Sequence, residues 1–247
     1  MTALVFLHGV GGSHLAWQRQ LPYFAARGYR ALAWDQPGYG GSPLVEPYDF
    51  EQVSRALKRY VEEHAAGRAV LVGHSMGGFV AQETCARFPE LVQALALCFT
   101  SAAFGGASGE FQRQFVQERV APLDAGDSMA DVAARLMPTM RGARSDPQGV
   151  ALAEQLMAAV PPETYRKAVR LLTTFDRRAL LPAIRVATLL VAGSDDKTAP
   201  AAVMERMAQK IPGSEYVLLE GCGHLGPMDQ PEAFNAALAG FLARHSL

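Results

Sequence analysis

Short apolar runs and longer amphipathic stretches alternate along this chain. Runs rich in Val, Leu and Ala occupy residues 4–7, 30–34, 69–72, 92–98, 187–192 and 215–219. Apolarity that is continuous, rather than at every second position, marks strands covered on both faces, as in a parallel sheet. Between them, residues 15–27, 50–64, 78–87, 200–210 and 232–244 read as helices, several bounded by Pro or Gly. Strand and helix in alternation predict right-handed β-α-β crossovers and an α/β fold.

The rhythm breaks after the fourth strand. From Phe104 to about Leu181 no buried strand is evident, and helical patterns at 110–120, 128–136, 150–160 and 163–174 follow one another, separated by Pro and Gly. The pattern predicts a core made of residues 1–103 and 182–247, with a helical cap (104–181) over the C-terminal edge of the sheet, where open α/β folds bind ligands.

Composition narrows the function classes. With 247 residues, 49% hydrophobic and 19% charged, the chain can bury a full core and is one domain with an insertion. A net charge of -1 supplies no field that would draw in nucleic acid or an anionic membrane. Cys85, Cys98 and Cys222 are odd in number and lack a C-x-x-C pair, which argues against a disulfide framework or a zinc site. The apolar run from Ala3 to Leu7 is too short for a signal sequence or a membrane span. The expected compartment is the cytoplasm.

The chemistry is concentrated in three loops. Gly73-His74-Ser75-Met76-Gly77-Gly78 lies directly after one apolar strand and directly before a helical run. A G-x-S-x-G turn in that setting presents a serine on a strained elbow, and its glycines let strand and helix approach closely. Serine is a poor nucleophile unless a base takes its proton and a third group orients that base. His224, in Gly221-Cys222-Gly223-His224-Leu225-Gly226 after the last predicted strand, sits at the correct sheet edge, unlike His64 and His245 near helix ends. Asp195 and Asp196, after the strand at 187–192, both offer the acid. Cys222, two residues before His224, is expected near the pocket.

The order Ser75, aspartate, His224 resembles that of the α/β-hydrolase superfamily. In the similar family segment the acid stands four residues before a proline, so the resemblance to Gly193–Pro200 implies Asp196 as the acid and Asp195 as a loop residue. Some relatives place the acid after the preceding strand, but Phe99-Thr100-Ser101 offers no carboxylate there. Leu7-His8-Gly9-Val10-Gly11-Gly12 is similar to the family's HG-x loop, which implies an oxyanion hole from the N–H groups of Val10 and Met76, and contacts to substrate from His8 and Gly9. Asp35-Gln36-Pro37-Gly38-Tyr39-Gly40-Gly41-Ser42 matches a family loop read here as structural. Trp17, Trp34, Phe104 and Leu225 are candidates for the pocket wall.

The resemblance implies an α/β-hydrolase fold: a mostly parallel sheet flanked by helices, with the cap inserted after the fourth strand and without the antiparallel hairpin that opens many relatives. Relatives that open epoxides or remove halogens use an aspartate where this chain has Ser75, and hydroxynitrile lyases follow the histidine with lysine where this chain has Leu225. The layout looks most like small bacterial carboxylesterases and enol-lactonases of the 3-oxoadipate type. That likeness implies a serine hydrolase of a small-molecule ester or lactone, acting through an acyl-enzyme without metal or organic cofactor; the sequence does not choose between a monomer and a homodimer. Two rivals keep the same residues: a C-C bond hydrolase of a vinylogous diketone, and a receptor-like module that captures a ligand without turning it over.

Overall fold

The computed structural model describes residues 1–106 and 108–247. Six strands form one sheet: β1 (Ala3–Leu7), β2 (Arg30–Trp34), β3 (Ala69–His74), β4 (Val92–Cys98), β5 (Ala187–Gly193) and β6 (Glu215–Leu219). Their spatial order is β2-β1-β3-β4-β5-β6 and every pairing is parallel. β1, β3 and the body of β4 and β5 are fully buried, as their unbroken apolar runs require, whereas the edge strand β2 is only half-buried. The strand order reverses between β1 and β3, and at such a switch point the loops diverge and leave a crevice at the strands' C-terminal ends. The loops leaving β1 and β3 are those of Val10 and Ser75.

Helices flank the sheet: α1 (Gln20–Ala25), α2 (Phe50–His64), α3 (Met76–Arg87), α8 (Ala201–Ala208), α9 (Gly226–Asp229) and α10 (Pro231–Arg244), with α2 packed on α3 and α1 on α10. The single helix expected over 15–27 is in fact a short 3-10 turn, His14–Trp17, followed by α1. Pro22 has no N–H for the carbonyl of Gln18, so a continuous helix fails one turn upstream of it.

Between β4 and β5 come α4 (Glu110–Asp124), α5 (Met129–Met140), α6 (Pro147–Ala158) and α7 (Pro162–Leu172). Ser128 and Asp131 form a reciprocal capping box at the start of α5, and Asp146 caps α6 with Pro147 at its first position. Both α4 and α5 run further than their patterns suggest, through Pro122 and Pro138. Each proline stands in the last turn, where it removes one helical hydrogen bond and leaves the rest intact. Among the described residues no helix is long and apolar enough to cross a membrane.

Candidate active site

Ser75 is the single residue between β3 and α3, held at φ 53° and ψ −118°. A positive φ is unfavourable for any residue with a Cβ, and the close approach of strand and helix imposes it. A Cβ on Gly73 would lie 2.4 Å from the Gly77 carbonyl oxygen, and one on Gly77 would lie 2.1 Å from that of Leu7, so both positions require glycine. The Ser75 N–H donates to the Cys98 carbonyl at 3.0 Å, and the Thr100 hydroxyl donates to the Ser75 carbonyl at 2.8 Å. The elbow is thereby fastened to β4.

The loops after β6 and β5 bring His224 and Asp196 to this elbow. His224 Nδ1–H donates to Asp196 Oδ2 at 2.8 Å, which leaves Nε2 to accept from the Ser75 hydroxyl at 3.0 Å. The other Asp196 oxygen accepts the N–H groups of Thr198 and Ala199 at 2.7 and 2.9 Å. Burial pushes the Asp196 carboxyl upward in pKa, but the charge and hydrogen bond of His224 and these two N–H groups outweigh it and hold the group below the ordinary carboxylate range. Asp195 faces elsewhere: its carboxylate accepts the Ala143 N–H at 2.8 Å and the Ser194 hydroxyl at 3.0 Å. Of the two neighbours, one carboxylate meets the imidazole and the other meets the cap.

The connector between α5 and α6 is fastened to the His224 loop along its backbone. His224 N–H donates to the Met140 carbonyl at 2.7 Å, Arg144 N–H to Gly221 at 2.9 Å, and Asp146 N–H to Asp229 at 2.9 Å. The two segments touch so closely that a Cβ on Gly142 would lie 2.3 Å from the Gly221 oxygen, and one on Gly223 would lie 2.2 Å from the Met140 oxygen.

His74, which sequence patterns did not single out, also supports this loop. Its Nε2–H donates to the His224 carbonyl at 2.7 Å. Burial first, and then the neighbouring His224, lower its pKa to about 3, so the ring is neutral. His8, expected to touch substrate, is buried and is not among the residues that line the cavity above Ser75 and His224. Its Nδ1–H donates to the Gly9 carbonyl at 2.8 Å and its Nε2 accepts the Gln36 N–H at 3.2 Å, bracing the glycine loop against the 35–42 loop. Burial lowers its pKa to about 4. Asp35 satisfies the N–H of His14 at 2.7 Å, in support of its structural reading.

A cavity opens above Ser75 and His224, enclosing about 730 Å³ with its open mouth included. Gly9, Val10 and Leu225 line it from the core, as expected. Val10 and Met76 offer N–H groups without a protein acceptor among the described residues, and Met76 heads α3, whose dipole adds positive potential. Three aromatic expectations fail. Trp17, 1% exposed, packs on Phe6 and Phe234 at 5.0 and 6.1 Å between ring centres. Trp34 packs on Tyr60 at 6.4 Å, and Phe104 lies against Phe111 and Phe115 at 5.5 and 4.7 Å. Each large ring is drawn into packing where it removes most apolar surface from water, and Phe115 rather than Phe104 reaches the cavity. Cys222 is buried beside the site, its sulfur 3.9 Å from Asp229, and does not line the cavity; burial pushes its thiol pKa well up. The cap's share of the wall is dominated by Met137, Met140, Met157, Leu136 and Leu172. Met137 and Met140, three residues apart on α5, are a mark in the sequence that points to this wall.

The model of the alpha/beta hydrolase family matches residues 4–237 of this chain. The chain belongs to that family. The hydrolase is 30% identical to a Mycobacterium tuberculosis protein provisionally named a non-heme bromoperoxidase, over 97% of this chain and 93% of that relative. It is 27% identical to 3-oxoadipate enol-lactonase 2 of Acinetobacter baylyi, over 98% and 89% of the two chains. Among solved structures, a thermophilic esterase from Thermogutta terrifontis with malate bound superposes on the hydrolase with a TM-score of 0.88 at 27% identity, over 99% of this chain and 90% of that one.

Proposed function

We infer that this hydrolase cleaves carboxylic esters or lactones through an acyl-enzyme. The observation that carries the reading is the continuous chain of hydrogen bonds from Ser75 through His224 to Asp196 at the floor of a largely apolar cavity. Ser75 Oγ attacks the carbonyl carbon while His224 Nε2 takes its proton. Asp196 holds the imidazole in the tautomer that accepts at Nε2, and stabilises the imidazolium once formed. The oxyanion is received by the N–H groups of Val10 and Met76. His224 then protonates the departing alcohol and activates a water that releases the acid. With residues 104–181 as its cap, the site shields these steps from bulk water.

The enol-lactonase and esterase relatives support this reading. The apolar wall favours it over cleavage of a C-C bond in a diketone, which calls for a more polar pocket. Hydrolysis of 4-nitrophenyl butyrate by wild type and by Ser75→Ala tests it. Wild type should turn over, and the folded variant should lose about four to six orders of magnitude in kcat. A folded wild type that leaves the ester intact, or a variant that keeps turning over, would sink the reading.

A further inference from the structure

Among the described residues, a single Lys or Arg side chain lines this largely apolar cavity. Arg119 stands on α4 and is the only Lys or Arg among the lining residues, which include no Asp or Glu. The cap arginines Arg135 and Arg166 are paired with Asp127 and Asp124. Arg119 has no carboxylate within 4 Å among the described residues. The side chain is half-buried, with its guanidinium carbon 5.2 Å from the centre of the Phe115 ring, which itself faces the cavity. Tyr165, another lining residue, is near enough to feel its charge. A half-buried guanidinium on the cavity wall, beside an aromatic ring and with no carboxylate partner among the described residues, retains donors for a bound anion.

Resting on the ester reading, we propose that Arg119 selects substrates that carry a carboxylate on the part reaching the cap. The hydrolase then acts on anionic esters or lactones rather than on neutral ones. A guanidinium fork matches a carboxylate in two parallel hydrogen bonds, and water exclusion by Phe115, Leu136 and Met157 strengthens the pair. The same apolar walls take the alkyl spacer between that carboxylate and the carbonyl under attack.

Two matched pairs of esters test the assignment without presuming which side of the ester bond carries the anion. The mono-4-nitrophenyl ester of glutaric acid is compared with 4-nitrophenyl butyrate, and the butyrate ester of 4-hydroxybenzoate with phenyl butyrate. In Arg119→Met, the anionic-to-neutral ratio of kcat/KM should fall by roughly ten- to a hundredfold for at least one pair, mostly through KM, and Arg119→Lys should restore part of it. Ratios within about twofold of wild type for both pairs in a folded variant would overturn the assignment. Calorimetric titration of wild type with glutarate and with glutaramide reads the same preference without turnover or a variant. Equal or no binding of the two would also overturn it. Turnover that survives in Ser75→Ala would strike the serine mechanism instead; Ser75-dependent turnover with unchanged ratios would strike Arg119 alone.

Discussion

The loops at the edge of the sheet and the helices of the cap face one cavity, but different forces place their side chains. Ser75, Asp196 and His224 each follow a parallel strand within a few residues, so the hydrogen-bond ladder that registers β3, β5 and β6 also registers the three groups. Met137, Met157 and Arg119 ride on helices that meet one another through side chains, and no ladder sets their height above the floor. The difference teaches that the reactive geometry is a backbone property, whereas the shape and charge of the pocket are side-chain properties. The first tolerates little change, and the second can be retuned residue by residue.

The adjacent aspartates test that division at its sharpest. Asp196→Asn should lower kcat on 4-nitrophenyl butyrate by about four orders of magnitude, since an amide at this position disfavours the tautomer that accepts at Nε2. A fall of less than tenfold would break the distinction.

A smaller effect is expected in acid. His74 and His8 are neutral in the folded chain down to about pH 3 and 4, against an ordinary 6.5. Below 6.5 the unfolded chain therefore binds more protons than the folded one, and stability is lost as pH falls through that window. His74 alone accounts for about 3 kcal/mol between pH 6.5 and pH 4. Urea midpoints measured over this range should drop steeply in wild type and less steeply in His74→Gln; parallel slopes would show that His74 is not the group responsible. The smallest effect belongs to Asp195→Asn, which should leave kcat within about tenfold and lower Tm slightly by weakening the tie to Ala143.

Much of this division was readable from the residue order. The strands at 30–34, 92–98 and 215–219 have the limits their apolar runs suggest; the run at 92–98 is buried on both faces, whereas those at 30–34 and 215–219 keep an apolar run although they stand at the two edges of the sheet. Ser75 and His224 were legible because an elbow and a glycine-rich loop leave local marks, whereas Asp196 was separated from Asp195 only by the resemblance of Gly193–Pro200 to the family segment. The pocket wall was not legible. Trp17 and Trp34 are large and apolar, but whether such a ring faces a core or a cavity depends on neighbours distant in the chain. His74 lies inside the most visible motif and escaped notice, since its role is a bond to a carbonyl 150 residues away.

The backbone clasp between Gly142 and Gly223 bears on how such an enzyme is re-engineered. Swapping the cap as a cassette at its outer limits would also discard the connector that seats the His224 loop, so a chimera would inherit new walls and a displaced His224. The recombination seam belongs on either side of residues 140–146, which travel with the sheet and its loops. Libraries for new substrates then vary α4, α6 and α7 around that retained clasp.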